Sequence, residues 1–188
     1  MSIKRVVALS VGFSGVGVTA AQAHVGAGAT SLMAGIVHPF TGLDHMSLLM
    51  VAGLVAVYAG RTGAVRMALV VMAAWISGLA FASSGFVIPF VEQGIAGGLV
   101  LLGAVLALGG SALGRHTAVT AFIGISALFH GQAHGLEVTG SVMTFGLGSL
   151  VGAVLVMAAG GMFARLAMVN ERLVGGAMAA LGVVMLAS

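Results

Sequence analysis

The chain has 188 residues, of which 60% are hydrophobic and 6% are charged, and its mean hydropathy is +1.21. A soluble domain carries about 25% charged residues, so this composition excludes a water-soluble fold and predicts a single domain within a lipid bilayer. The sequence pI of about 10.7 comes from seven Lys and Arg against four Asp and Glu, scattered without a basic run, so nucleic-acid binding is not indicated. The chain has no cysteine, which excludes disulfides, thiolate metal ligands and a cysteine nucleophile.

The first 23 residues have the pattern of a cleavable signal peptide. Lys4-Arg5 precedes a short apolar segment over 6–18, and Ala21-Gln22-Ala23 supplies the small residues of a cleavage site. As a helix this segment would rise about 20 Å, less than the roughly 30 Å of a hydrocarbon core; an uncleaved first membrane helix is the alternative. We therefore expect 1–23 to be removed and 24–188 to form the mature membrane domain.

The mature chain divides into six apolar stretches at its few charged residues. They run over 39–59, 64–82, 92–110, 117–135, 141–163 and 173–187, each close to the 20 or so residues that a transmembrane helix needs. Strand-length alternation of polar and apolar residues does not occur, so we expect an all-α, polytopic bundle of six transmembrane helices. Three Gly-x-x-x-Gly pairs predict close helix contacts: Gly94/Gly98, Gly131/Gly135 and Gly148/Gly152.

The basic residues of the mature chain predict its orientation. All of them lie in or immediately beside the connections after the first, third and fifth stretches: Arg61, Arg66, Arg115, Arg165 and Arg172. By the positive-inside rule these connections face the cytoplasm, and both mature termini then face outward, in agreement with a signal peptide. We expect a multi-pass protein of the bacterial inner membrane, with the lipid bilayer as a partner and both mature termini on the periplasmic side.

Two polar motifs lie at the predicted outer ends of the first and fourth stretches. The first is HPFTGLDH, residues 38–45, and the second is FHGQAHGLE, residues 129–137. Ionisable groups are costly inside a bilayer, so this clustering indicates a functional site, with a divalent metal ion as its partner. The candidate metal ligands are those of the two motifs and of the first mature residue: His24, His38, Asp44, His45, His130, His134 and Glu137.

A depth estimate along straight helices divides these candidates into two layers. With Pro39 as the first helical residue and His38 just outside the helix, Asp44 and His45 lie about 8–9 Å below the outer end. His130 lies about 7 Å below the same face. The remaining candidates are placed at the rim: His24, His38, His134 and Glu137.

The spacing of the histidines decides which of them can share an ion. The two histidines of the second motif are four residues apart and lie on one helical face. His38 and His45 are separated by about 10 Å along an intact helix, so they can share an ion only if the turn at Pro39 and Gly42 unwinds. Imidazole and carboxylate without thiolate suit Ni²⁺, Co²⁺ or Zn²⁺, and Asp44 either ligates directly or orients a neighbouring histidine.

The two motifs, after a signal that ends in Ala and His, resemble those of the HupE/UreJ family, which are nickel or cobalt permeases associated with hydrogenase and urease systems. The resemblance covers essentially the whole mature chain. It implies that Ni²⁺ or Co²⁺ is a transported ion, not a prosthetic group, and that the two motifs carry it: His38, Asp44, His45, His130, His134 and Glu137.

We therefore expect a permease, not an enzyme, that imports a divalent metal ion. No segment of the sequence resembles an ATP-binding loop, so we expect no nucleotide. Whether the protein forms a homo-oligomer is left open. Two alternatives remain. One is an intramembrane hydrolase in which three histidines hold Zn²⁺ and Asp44 or Glu137 activates water. The other is a membrane cytochrome with histidine-ligated haem. Against them, the candidates form two layers near one face, and no H-E-x-x-H helix occurs.

Overall fold

The computed structural model describes residues 31–109, 117–138, 141–167 and 169–188. The predicted signal peptide, His24 and Arg115 lie outside these residues. The described residues form helices and no strand, which confirms the all-α prediction. The helices are α1 Leu32–Thr41, α2 Leu43–Tyr58, α3 Gly60–Ser83, α4 Val91–Ala107, α5 Thr117–Glu137, α6 Val142–Ala167 and α7 Glu171–Ala187.

Two of the described helices, α3 and α6, are each long and apolar enough to cross a membrane. The pair α1 and α2 forms a third candidate span, bent by 83° at the break between the two helices. α4 is apolar but shorter, with 17 residues. Large apolar side chains such as Leu69 on α3 and Leu155 on α6 are exposed, as a lipid-facing surface requires, whereas α2 is buried around Leu48 and Ala52.

The sequence had indicated that a helix begins at the first polar motif. In the structure the motif instead spans the end of α1 and the start of α2. α1 starts at Leu32, seven residues before Pro39, because the Ser31 side chain caps it by accepting a hydrogen bond from the Ala34 amide at 3.0 Å. Pro39 therefore lies inside α1, and the prediction that it is the first helical residue, with His38 outside the helix, is wrong. The chain does leave the helix at Gly42, whose backbone is extended (φ −89°, ψ 124°), and α2 begins at the next residue.

Glycine contacts show that α6 packs against α1 and then, further along its length, against α2. Gly148 lies against the backbone of Leu32 and Ile36, and further along α6 Gly160 lies against the backbone of Met50. A Cβ at either glycine would overlap these atoms, so only glycine permits this approach of the helix axes. The two halves of the bent pair are thus held along one continuous partner helix.

Glycines also fix the directions of the other helices. α3 and α5 are parallel, because Gly131 lies against Trp75 and Gly135 against Leu79 and Ala82. α4 is antiparallel to α5, with Gly94 against Phe129 and Gly98 against Ser126, and antiparallel to α7, with Gly103 against Gly175 and Gly182 against Ala96. All three predicted Gly-x-x-x-Gly pairs therefore lie at helix contacts, which confirms that prediction.

These directions bring the described arginines to one end of the bundle. α3 begins where α2 ends, and Gly161 of α6 lies against Val57 near the end of α2, so Arg165, four residues further along α6, lies at the end that carries Arg61 and Arg66. α4 ends at this same side, and Arg172 at the start of α7 lies near Gly109, just after α4. The second polar motif, in the last turns of α5, lies toward the opposite end.

Candidate metal-binding site

Five of the candidate ligands come together between the α1–α2 break and the last turns of α5. Each is at most 7% exposed: His38, Asp44, His45, His130 and His134. Glu137 is partly buried at the end of α5 and lies outside this cluster. His24 lies outside the described residues.

The cluster contains two groups of three ligands that share His45. One group is His38, His45 and His134, and the other is Asp44, His45 and His130. Within each group, the potential ligand atoms all lie within 4.8 Å of one another. The chain therefore places two three-ligand arrangements side by side, joined by one imidazole.

The break at Gly42 makes the first group. It sets α1 at 83° to α2, so that the ring centroids of His38 and His45 are 4.8 Å apart, instead of about 10 Å along an intact helix. Asp44 lies in the first turn of α2, where the helix dipole stabilises a carboxylate. The unwinding that the sequence required for a shared site is thus present.

On α5 no break is needed. His130 and His134 lie on one face of an uninterrupted helix, and the glycines between and after them let that face approach α3. His134 reaches the first motif directly, since its Nε2 is 2.8 Å from Nε2 of His45 and its ring centroid is 4.5 Å from that of His38. The placement of His38 and His134 in a separate rim layer is therefore wrong, because the bend at Gly42 carries His38 inward.

Hydrogen bonds donated by Nδ1 orient two of the imidazoles, those of His45 and His130. His45 Nδ1–H donates to Asp44 Oδ1 at 2.9 Å, which leaves the Nε2 lone pair of His45 directed at His134 Nε2. Two ring nitrogens that bind one ion at right angles, each about 2.1 Å from it, lie roughly 3 Å apart. The 2.8 Å contact thus suits either an N–H donated by His134 or a cation held by both rings.

In the second group, two hydrogen-bond acceptors face each other. His130 Nδ1–H donates to the carbonyl of Ser126 at 2.7 Å, so the Nε2 of a neutral His130 carries a lone pair. This Nε2 lies 3.5 Å from Asp44 Oδ2, also an acceptor. Two facing acceptors require a proton or a metal cation between them, and buried polar groups without such a partner are destabilising.

Two further ring nitrogens of the cluster are buried without a hydrogen-bond partner among the described residues. They are Nε2 of His38 and Nδ1 of His134. Most buried polar atoms in proteins are hydrogen-bonded, so unpaired acceptors concentrated in one place indicate a site for a bound species. The chemistry of the donor set, imidazole nitrogen with one carboxylate, fits a divalent transition metal ion.

A cavity of about 30 Å³ adjoins the cluster. Histidines of both groups line one part of it, and mostly apolar residues line the remainder, among them Leu48, Val71 and Met157. Phe145 packs against His134 with 5.7 Å between ring centroids, and Trp75 does so at 5.8 Å. These aromatic side chains exclude water from the imidazoles, and no pattern in the sequence singled them out.

Gln132 is a further residue of the second motif that was not among the candidates. It is fully buried, and its Nε2 donates to the carbonyl of Phe86 at 2.9 Å. This bond connects α5, beside the two histidines, to the segment between α3 and α4. The one feature of the sequence that could have indicated a role for Gln132 is its position between His130 and His134.

Comparison with known proteins places the chain in a family. The family model described as HupE / UreJ protein matches residues 13–185. The chain is also 34% identical to Protein HupE of Rhizobium leguminosarum bv. viciae over 176 residues. This alignment covers 88% of this chain and 90% of that protein. The chain belongs to the HupE/UreJ family. No solved structure matches this HupE/UreJ chain. The resemblance drawn from the two motifs is therefore confirmed, and both motifs fall within the matched residues.

Proposed function

We propose that this chain is a membrane permease that imports a divalent transition metal ion, Ni²⁺ or Co²⁺, through the buried His/Asp cluster. The observation that carries the proposal is the pair of three-ligand groups that share His45, with ring nitrogens that have no hydrogen-bond partner in the described part of the chain. Membership in the HupE/UreJ family supports it, since the family resemblance implies nickel or cobalt supply to hydrogenase or urease. In this proposal the metal is cargo, and the protein needs neither a resident cofactor nor a nucleotide.

Two adjoining groups suit transport better than storage. A permeating ion must bind strongly enough to leave water, and weakly enough, or at enough neighbouring sites, to leave again. Because His45 belongs to both groups, an ion can exchange the other two ligands while His45 remains bound. Glu137 and His24 would act earlier, at the outer face, by attracting the hydrated cation.

The same proposal includes six membrane spans, removal of 1–23, an inner-membrane location and both mature termini in the periplasm. The alternating helix directions and the collection of the described arginines at one end support this topology. A reporter attached to Ser188 tests the orientation, because enzymatic activity of the reporter only on the cytoplasmic side would contradict it. N-terminal sequencing of the purified protein tests processing, and we expect it to begin at His24.

The geometry favours transport over the two alternative functions. Haem needs an open slot between axial ligands, whereas these imidazoles contact one another and adjoin a cavity of only about 30 Å³. A hydrolase needs a carboxylate beside the metal that is free to activate water, whereas both oxygens of Asp44 face histidines and Glu137 belongs to neither three-ligand group.

The test is uptake of labelled Ni²⁺ and Co²⁺, measured side by side in cells that lack other high-affinity importers. Cells that express the protein should accumulate at least one of the two ions faster than cells with an empty vector. Cells with His45→Ala, at equal membrane abundance, should not. Ser77→Ala is the matched control, because that hydroxyl bonds only its own helix, at the carbonyl of Ala73. Equal uptake with and without the protein would contradict the proposal.

A further inference from the structure

Ser149 on α6 differs from Ser77 and Ser83, two serines in the helix α3. The hydroxyls of Ser77 and Ser83 donate to carbonyls four residues earlier, those of Ala73 and Leu79, at 2.8 and 2.9 Å. Serine in a helix commonly satisfies its hydroxyl in this way. Ser149 is only 4% exposed, yet its Oγ has no hydrogen-bond partner among the described residues.

Ser149 lines the cavity that adjoins the histidine cluster. It lines the same cavity as His38, His45 and His134, and it supplies the one hydroxyl among the described residues of that lining. The other α6 residues there are apolar, for example Ala153. A cavity lined both by an unpaired hydroxyl and by histidines with unpaired ring nitrogens points to a polar species that fills this space.

Helix packing holds Ser149 in place. The glycine before it, Gly148, lets the backbones of α1 and α6 meet, and the amide nitrogen of Ser149 lies beside Gly35 of α1. The contact between α1 and α6 therefore fixes the serine relative to His38, which lies on the same short helix. Backbone contacts between α1 and α6 thus hold Ser149 in the lining of the site.

We propose that the Ser149 hydroxyl accepts a hydrogen bond from a water molecule that the transported cation keeps while His38, His45 and His134 hold it. This inference rests on the proposed function. Three imidazoles leave at least one position open in a four-coordinate shell, and water is the usual occupant of such a position. The cavity of about 30 Å³ has room for it, because one buried water needs roughly 10–15 Å³ on this measure.

Ser149 is then a positioning residue that acts on the ion through its water. Partners of this kind orient the ligands of a metal, and their loss typically weakens metal binding by roughly 10–100-fold. The apolar remainder of the cavity offers no substitute acceptor to the bound water. Removing the hydroxyl should therefore weaken cation binding while leaving the apo fold intact.

The experiment is a Co²⁺ titration of the full-length purified protein in detergent, followed by visible absorption. We expect Ser149→Ala to raise the Kd for Co²⁺ by about tenfold or more, and Ser149→Thr, which keeps the hydroxyl, to restore most of the affinity. The control Ser77→Ala should bind as the wild type does. The midpoint of thermal unfolding without metal should be the same for all three variants, which separates loss of a water contact from loss of structure.

The outcomes distinguish this inference from the proposed function. If Ser149→Ala binds Co²⁺ as tightly as the wild type while His45→Ala loses binding, the role of Ser149 is wrong and the metal site stands. If Ser149→Thr binds as weakly as Ser149→Ala with an unchanged unfolding midpoint, the hydroxyl is not the cause and the inference fails. If His45→Ala binds as tightly as the wild type, the site itself is wrong, and the inference about Ser149 fails with it.

Discussion

The two polar motifs reach the same site by opposite means. On α5 a spacing of four residues places His130 and His134 on one face of an uninterrupted helix. In the first motif the histidines are seven residues apart, and the chain brings their rings to 4.8 Å only by leaving the helix at Gly42 and bending by 83°. One motif uses regular structure, and the other interrupts it.

This difference teaches where the site is vulnerable. The bent pair depends on α6, whose glycines hold α1 and α2 along one surface, whereas the α5 pair depends on close contact with α3. His45 is where the two constructions meet, since it bonds Asp44 on its own helix and contacts His134 on α5. Substitutions in the two motifs should therefore have effects that differ in type and in size.

The largest effect is expected from His45→Ala, which removes a ligand from both groups. The change also leaves Asp44 buried without its hydrogen-bonded imidazole, in a place where desolvation costs several kcal/mol. Uptake of Ni²⁺ and Co²⁺ should be lost at every external concentration tested, with normal abundance in the membrane. Recovery of uptake at high metal concentration would contradict a shared ligand at the centre of the site.

A smaller loss is expected when each α5 histidine is removed in turn. His130→Ala and His134→Ala each disrupt one of the two groups, so each should lower the maximal rate of uptake and weaken metal binding by more than tenfold, or about 1.4 kcal/mol. Purified variants titrated with Co²⁺ report the affinity directly. If His134→Ala changes only the concentration for half-maximal uptake, His134 acts at the outer rim and its interior role is contradicted.

The contact between α5 and α3 should affect stability more than chemistry. A Cβ at Gly131 would overlap the backbone of Trp75, so Gly131→Ala should lower the free energy of unfolding by about 1–3 kcal/mol. Gly97→Ala is the matched control on α4, because a Cβ there meets open space. Thermal unfolding in detergent compares the two variants. Equal midpoints would mean that α5 does not depend on this glycine for its approach to α3.

The smallest effect is expected outside the cluster. Glu137→Gln should raise the external metal concentration for half-maximal uptake while leaving the maximal rate little changed, because bulk water replaces a missing ligand near the surface. His24→Ala should act in the same direction. Glu92→Gln is the control for a lost exposed carboxylate, since Glu92 lies on α4, which makes no part of the cluster. Complete loss of uptake in Glu137→Gln would place this residue among the essential ligands.

The sequence predicted the parts of this structure that local pattern controls. Hydropathy predicted helices throughout, the glycine pairs predicted their contacts, and the seven-residue spacing of His38 and His45 made unwinding a condition for a shared site. The depth of His38 was mispredicted because Ser31 caps a helix that starts before the motif. Ser149 and Phe145 escaped notice because they approach His38 only through the packing of α6 against α1, which lies more than a hundred positions earlier in the chain.

The most direct test of the account is X-ray absorption spectroscopy of the purified, Ni²⁺-loaded protein, with His45→Ala treated identically. We predict a first shell of nitrogen and oxygen with the multiple-scattering pattern of several imidazoles in the wild type, and loss of bound Ni²⁺ in the variant. A tightly bound Ni²⁺ with no imidazole ligand, or an identical spectrum from His45→Ala, would contradict the claim that this buried cluster holds the ion.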